Sequence, residues 1–299
     1  MIAASVIILG LIIGSFLSVC IFRIPYGRSS GLEELLEQED SPEGESDLVE
    51  PPEKPQDSPQ LSISNPPRSF CPTCKVQLLW WHNIPVVSWI ILRGRCANCS
   101  ARISVRYPLV ELLSAASAFG AYFTFGPTLS ALVIYIFLCA LIVISFIDID
   151  YYIIPNVISL PGTLIGISIA VLNQFSALFK YPIVPGILDS LLGILAGAGF
   201  LLLISEGYFR LRKREGLGMG DVKLLAMVGA LFGVAGSLYT IFVGSVLGSV
   251  LGILFIVLGG KKFSQHLPFG PYLALGTVLY IFAGPESIRY VLSYMMGMP

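Results

Sequence analysis

Residues 129–147 read LSALVIYIFLCALIVISFI, nineteen consecutive positions without a charged side chain. A helix needs about 20 predominantly apolar residues to cross the hydrocarbon core of a bilayer. Further apolar runs of this kind lie on both sides of the stretch, so it is one of a series. The series predicts an all-α polytopic membrane protein.

The composition of the whole chain agrees with a membrane protein. Of its 299 residues 55% are hydrophobic and 12% are charged, whereas a soluble domain averages about 25% charged residues. The mean hydropathy is +0.80. These values exclude a soluble globular enzyme, a disordered chain and a nucleic-acid-binding protein. The charges are segregated, because residues 31–60 hold eleven acids and a single base, Lys54.

We expect about eight transmembrane helices. They cover residues 1–22, 109–125, 129–147, 155–172, 186–206, 220–235, 237–259 and 271–294. The first run resembles a signal peptide in length, but no base precedes it and bases follow from Arg23 onward. This order favours a membrane helix with its N-terminus outside the cell.

The distribution of basic residues predicts the orientation of the chain. With the N-terminus outside, 16 of the 18 Lys and Arg residues fall on the inner side, and only Lys180 and Arg289 fall on the outer side. Bases concentrate in the cytoplasmic loops of membrane proteins. The loops predicted to face the cytosol are 23–108, 148–154, 207–219 and 260–270.

The chain divides into four predicted regions. A first transmembrane helix at 1–22 precedes a cytosolic, acidic, Pro-rich linker at 23–69, whose composition is too polar to form a packed core. A cytosolic four-cysteine module follows at 70–108. Residues 109–299 form a seven-helix membrane domain.

Two Cys-x-x-Cys pairs separated by 21 residues lie in the module: Cys71, Cys74, Cys96 and Cys99. This spacing predicts a structural Zn²⁺ site in which four thiolates fill a tetrahedral shell. A redox dithiol is the alternative. His82 lies between the pairs and is expected to be an ordinary residue, because the thiolates complete the shell. Cys20 and Cys139 lie inside apolar runs and are expected to be buried.

Two carboxylates stand out beside the predicted spans, since ionisable groups in a bilayer are costly and are often functional. Asp148 ends the third span and Asp221 opens the sixth, so the topology places both at the same face of the membrane. A facing pair can share one proton and catalyse hydrolysis. Helix capping, solvation at the interface and a proton pathway are the alternatives.

The motifs around these acids resemble those of the bacterial prepilin peptidases, also called type IV leader peptidases. The sequence GMGD at 218–221 matches the GxGD motif of membrane aspartyl proteases. An Asp-x6-Pro-Asn run begins at Asp148, and the paired cysteines fit as well. Further matching segments are Gly14–Val19, Arg23–Pro25, Asn83–Pro85, Leu92–Cys96, Arg106–Leu113 and Leu267–Tyr272.

The resemblance implies a specific activity. Members of the family cut the leader from type IV prepilins and type II secretion pseudopilins at the cytosolic face of the bacterial inner membrane. Asp148 and Asp221 match the catalytic pair. Asp150 is expected to orient water or to be solvated, although exchange of roles with Asp148 is possible. Lys223 and Glu111 also match family positions, with Lys223 either tuning Asp221 or facing lipid headgroups.

The resemblance alone also implies N-methylation of the new N-terminus with S-adenosylmethionine, since the sequence has no Gly-rich Rossmann fingerprint. The expected partners are prepilins, pseudopilins and the lipid bilayer, and no nucleic acid is expected. Two other classes of function stay open. One is a transporter that uses the two aspartates as a proton relay, and the other is an assembly scaffold that docks through the cysteine module.

Overall fold

The computed structural model describes residues 2–25, 71, 73–213, 218–259 and 268–295. The predicted acidic linker lies outside these residues from position 26 onward. The helices are α1 (Ile2–Arg23), α2 (Val87–Ile91), α3 (Arg106–Phe125), α4 (Leu129–Tyr151), α5 (Asn156–Ser176), α6 (Ile187–Arg212), α7 (Met219–Gly259) and α8 (Gly270–Met295).

The described helices confirm the predicted all-α membrane fold. Six of them, α1 and α3 to α7, are long and apolar enough to cross a bilayer, and α8 contributes a shorter apolar stretch at Gly270–Gly284. An isolated β-bridge joins Arg95 to Arg102. The chain forms two compact units, one with residues 1–122 and 150–153 and the other with residues 123–149 and 154–299.

Helix α7 contains the sixth and seventh predicted spans, and its backbone breaks at Gly233, where φ is 68° and ψ is −164°. A Cβ built on Gly197 would lie 3.0 Å from the carbonyl oxygen of Leu225 and 2.9 Å from Oγ of Ser237. These two atoms are therefore no more than about 6 Å apart, whereas twelve residues of straight helix would separate them by about 18 Å. The chain reverses at Gly233, and α7 is two antiparallel segments.

The loop between α5 and α6 provides a hydrogen-bond partner for a backbone group at this reversal. The amide of Val184 donates to the carbonyl oxygen of Leu231 at 3.0 Å. The buried side chain of Asn173 holds the loop, since its amide nitrogen donates to the carbonyl oxygens of Phe179 (3.1 Å) and Val184 (2.8 Å). Backbone groups inside a membrane need such internal partners because no water is present.

Small residues let the helices of the second unit approach closely. Gly193 of α6 lies directly against Gly229 of α7, with no space for a Cβ on either residue. Two hydroxyls add polar contacts between the same helices, because Ser190 donates to the carbonyl oxygen of Ala230 at 2.8 Å and Ser237 donates to that of Gly193 at 2.9 Å. Small residues with interhelical hydrogen bonds are the usual means of packing in membranes.

In the first unit, α1 and α3 pack in opposite directions. A Cβ on Gly10 would lie 2.6 Å from Cα of Ala115, and Gly14 lies against the backbone of Glu111. Cys20, near the end of α1, is buried as expected, and Cys139 in α4 of the second unit is buried too.

Candidate active site

Asp148 lies near the end of α4, where its side chain is buried with 5% of its surface exposed. The amide of Gly270, the first residue of α8, donates a 3.0 Å hydrogen bond to its Oδ2 atom. A Cβ on Gly270 would lie 2.7 Å from that oxygen, so only glycine fits without displacing the carboxylate. The position of Asp148 thus depends on α8 as well as on its own helix.

Asp221 is the third residue of α7 and is also buried, with 9% of its surface exposed. Its amide donates to the carbonyl oxygen of Gly218 at 3.1 Å. The negative charge of Asp148 acts directly on Asp221, so the structure brings together the two carboxylates that the topology predicts to meet. Asp221 lies in the first turn of α7, and Asp148, near the C-terminal end of its own helix, accepts the first amide of α8; helix N-termini stabilise negative charge.

Ile154 packs beside the site of Asp148 and Asp221 and contacts the starts of both α7 and α8. A Cβ on Gly220 would lie 3.0 Å from Cβ of Ile154, and one on Gly270 would lie 3.3 Å from its Cδ1 atom. The absence of a side chain at Gly220 therefore lets the side chain of Ile154 approach closely. At Gly218 an added Cβ would make only ordinary contact, 3.6 Å from Oδ2 of Asp221.

Lys223 makes a polar contact near this site. Its Nζ atom donates to Oδ1 of Asn156 at 2.9 Å. Asn156 is the first residue of α5 and follows Pro155 directly. The bond therefore joins the first turn of α7 to the start of α5, within the Asp-x6-Pro-Asn run.

Asp150 forms an ion pair in the first unit. Nη1 of Arg106 donates to both carboxylate oxygens, at 2.7 and 2.8 Å. The two side chains are 44% and 29% exposed for Arg106 and Asp150 respectively. Their exposure distinguishes this pair from the buried site of Asp148 and Asp221.

Gly270 is a site residue to which the sequence analysis assigned no role. It lies in the segment LPFGPY at 267–272, which matches the family pattern. A glycine between an aromatic residue and a proline signals an unusual backbone requirement, but nothing in the local pattern identifies Asp148 as its partner.

The four module cysteines converge in the structure. Their sulfur atoms all lie within 4.8 Å of one another, and Sγ of Cys71 is 3.9 Å from Sγ of Cys99. A tetrahedral Zn²⁺ site with Zn–S bonds of about 2.3 Å has sulfur atoms about 3.8 Å apart. The donor set and its dimensions therefore fit a zinc ion.

The two cysteine pairs are folded alike. In the first turn, Lys75 donates its amide to the carbonyl oxygen of Cys71 at 2.8 Å, and in the second, Ser100 donates to that of Cys96 at 2.9 Å. Lys75 and Ser100 each have a φ of 58°. Two equivalent turns thus present two sulfur atoms each to one centre.

Hydrogen bonds to sulfur favour the thiolate form of Cys71 and Cys74. The amide of Cys74 lowers the pKa of the Cys71 thiol to about 6, and the amide of Val76 and the side chain of Asn98 lower that of Cys74. Nδ2 of Asn98 lies 3.6 Å from Sγ of Cys74. The cluster consists of the four cysteines and does not include His82.

Glu111 is a buried carboxylate of α3 within the first unit. Its Oε2 atom accepts a 2.7 Å hydrogen bond from the amide of Val86, and the side chain of Ser15 in α1 bonds to it as well. Val86 has a φ of 60°, which is rare for a β-branched residue. Glu111 thus ties a strained turn of the cysteine module to α1 and α3.

Comparisons with known proteins cover both parts of the chain. Residues 8–125 match the bacterial peptidase A24 N-terminal domain, and residues 135–253 match the type IV leader peptidase family. The chain is 36% identical over 282 residues to a protein of Burkholderia pseudomallei named prepilin leader peptidase/N-methyltransferase, covering 94% of this chain and 85% of that protein.

Two more relatives with the same name give similar values. One from Aeromonas hydrophila is 34% identical over 96% of this chain and 93% of that protein. One from Pseudomonas aeruginosa is 34% identical over 96% of this chain and 92% of that protein. No solved structure matches the chain. The matched domains and relatives confirm the predicted resemblance, and the chain belongs to the type IV leader peptidase family.

Proposed function

We propose that this protein is a multi-pass membrane aspartyl endopeptidase that removes the leaders of type IV prepilins and type II secretion pseudopilins and then N-methylates the new N-terminus. The observation that carries the peptidase assignment is the meeting of two buried carboxylates, Asp148 and Asp221, at the ends of membrane helices. The names of the relatives, prepilin leader peptidase/N-methyltransferase, support the substrate class and the second activity.

The proposed chemistry uses the carboxylates as a pair. Two like charges that interact do not both ionise readily, so Asp148 and Asp221 would share one proton. The ionised member takes a proton from a water molecule, which attacks the carbonyl carbon of the scissile peptide bond. The protonated member donates to the carbonyl oxygen. The amide of Gly270 fixes the orientation of Asp148 while its other oxygen stays available.

We further propose that the pair faces the cytosol of a bacterial inner membrane. The support is the distribution of bases, which places 16 of 18 on the side of Asp148 and Asp221. The apolar helix of a prepilin would then stay in the bilayer while its leader reaches the acids from the cytosol.

The cysteine cluster is proposed to hold a structural Zn²⁺ through Cys71, Cys74, Cys96 and Cys99. A bound zinc ion would supply folding free energy to a module too small to have a large apolar core. For S-adenosylmethionine the proposal stays at the level of the family. The described residues form no strand–loop–helix unit of the Rossmann type, so none is proposed to bind the methyl donor.

A mass spectrum of a processed substrate tests the proposed function. Membranes with the protein are incubated with a synthetic prepilin and S-adenosylmethionine. Loss of the leader mass is expected with the native chain and not with Asp148→Asn or Asp221→Asn. Asp189→Asn is the matched control, because Asp189 is an exposed acid in the first turn of the membrane helix α6. Retention of the leader by the native chain with several prepilins would contradict the peptidase assignment.

The same samples distinguish the peptidase from the two other classes of function, a proton-relay transporter and an assembly scaffold. A proton-relay transporter would lose ion flux in Asp148→Asn while the native chain leaves prepilin intact. A scaffold would lose partner binding on substitution of Cys74 and have no cleavage to lose. Methyl transfer replaces an N–H hydrogen of the mature N-terminus with a methyl group. The resulting gain of about 14 Da would establish this activity separately from cleavage.

A further inference from the structure

Helix α2 in the cysteine module exposes an apolar face. Val87, Ile90 and Ile91 are 49%, 62% and 73% exposed, and none of the residues of α2 is buried. Trp81, in the turn just before the helix, is 46% exposed. Clustered exposed apolar residues of this kind mark a surface that contacts another molecule or a membrane.

A hydrogen bond places α2 at the level of a membrane helix end. The amide of Val86, directly before α2, donates to Oε2 of Glu111 at 2.7 Å. Glu111 lies in the second turn of α3, about 8 Å along the axis from Arg106. Helical side chains lean toward the N-terminus of their helix, so Glu111 reaches back toward Arg106. Helix α2 is therefore level with the first turns of α3.

The cysteine module around α2 carries basic residues and no acidic residue of its own. Residues 71–105 contain no Asp or Glu but include Lys75, Arg93, Arg95 and Arg102. The three arginines are exposed, and Arg95 and Arg102 are paired across the isolated bridge. A cationic rim beside apolar side chains is the composition of a segment that lies in the interface of an anionic membrane.

We propose that α2 is an interfacial helix that docks the cysteine module onto the anionic surface of the bilayer. Val87, Ile90 and Ile91 enter the boundary between headgroups and acyl chains. The exposed arginines bind the phosphates of anionic lipids. The bilayer is the occupant because the apolar face is level with the start of α3, a helix long and apolar enough to cross a membrane.

The site does not depend on the proposed peptidase activity. The Glu111 bond and the strained φ of Val86 hold the turn into α2 in one conformation, so the exposed face has a defined height relative to α3. Gly14 of α1 packs against Glu111 and fixes the same level from the other helix.

A fluorescent amino acid at position 91 measures the docking directly. The full-length protein carries an environment-sensitive side chain in place of Ile91, in nanodiscs of phosphatidylcholine and phosphatidylglycerol. Spin-labelled lipid is the membrane quencher and iodide is the water quencher. Gln77, an exposed polar residue of the same module, carries the probe in the control. We expect lipid quenching about threefold greater at 91 than at 77, together with protection from iodide.

The opposite pattern, with position 91 quenched by iodide and not by lipid, would overturn the proposal. Such a pattern would leave the apolar face for a soluble protein or a second copy of the chain. Thermal unfolding in the same nanodiscs verifies that each labelled protein is folded. If the protein labelled at position 91 is unfolded, the measurement is repeated with labels at Ile90 and Val87.

A second arm tests the role of the arginines. Nanodiscs of pure phosphatidylcholine should reduce the lipid quenching at position 91, and Arg95→Gln with Arg102→Gln should reduce it even when phosphatidylglycerol is present. The matched control is Arg210→Gln with Lys213→Gln, two exposed bases at the end of α6. Equal quenching in both lipid compositions would contradict recognition of anionic headgroups.

Discussion

The amide of Gly270 donates a hydrogen bond of 3.0 Å to Oδ2 of Asp148, although the two residues are far apart in the sequence. The bond joins the start of α8 to the end of α4. It places the carboxylate at the N-terminus of a helix, where unpaired amides and the helix dipole favour negative charge.

Replacement of Gly270 with alanine should therefore disrupt the proposed active site. The new Cβ would lie 2.7 Å from Oδ2 of Asp148, so the carboxylate has to move. A displacement of about 1 Å at a reacting group can lower a rate about 100-fold. The measurement is kcat for prepilin cleavage in detergent or nanodiscs. Gly207→Ala is the control, because nothing lies within 4 Å of a Cβ there. Equal kcat values for the two variants would argue against Asp148 as a catalytic residue.

The bond between Lys223 and Asn156 is expected to position the start of α7. Lys223→Met and Asn156→Ala should each lower kcat about fivefold, since a typical hydrogen bond contributes about 1 kcal/mol. The double variant should be no slower than either single variant, and KM should change little. Lys223→Arg should restore part of the rate. Independent, multiplicative losses in the double variant would show that the two residues act separately.

Removal of the Asn98 side chain should weaken the proposed zinc site. Its Nδ2 atom lies 3.6 Å from Sγ of Cys74, and partners of metal ligands commonly contribute about tenfold in affinity. We expect Asn98→Ala to lose zinc to a chromophoric chelator at about tenfold lower chelator concentration. Asn83→Ala, an exposed asparagine of the same module, should behave as the native protein. An unchanged zinc affinity in Asn98→Ala would exclude this role.

The reversal in α7 should depend on glycine at position 233. Its φ of 68° strains any residue with a Cβ, and that atom would lie 2.9 Å from Cγ1 of Val184. Gly233→Ala should lower the free energy of unfolding by about 1–3 kcal/mol. The unfolding midpoint in detergent measures the loss against Gly207→Ala. A midpoint that stays at the native value would mean that α7 reaches the same stability without the reversal.

Much of the fold follows from local patterns in the sequence. The apolar runs predict the helices because length and hydropathy determine what crosses a bilayer. The division between spans at 220–235 and 237–259 falls close to the reversal at Gly233. The spacing of the two cysteine pairs predicts the four-cysteine cluster, since the turn in each pair is formed by neighbouring residues.

Other features depend on contacts that no local pattern encodes. The side chain of Asn173 bonds to Val184, and the amide of Val184 bonds to Leu231. These contacts form only when α5, the following loop and α7 pack together. The pairing of Asp150 with Arg106 joins distant segments as well. Local motifs therefore indicate Asp148 and Asp221 as candidates but not the backbone amide of Gly270 that orients Asp148.

The reversal at Gly233 also makes the first segment of α7 short. From Met219 to Phe232 it extends about 21 Å, whereas the hydrocarbon core of a bilayer is about 30 Å thick. This hydrophobic mismatch is resolved by protein, because the loop at 177–186 occupies the far end of the segment. Leu224, Leu225 and Val228 in this segment have no exposed surface, so its short length is matched by protein contacts and not by lipid.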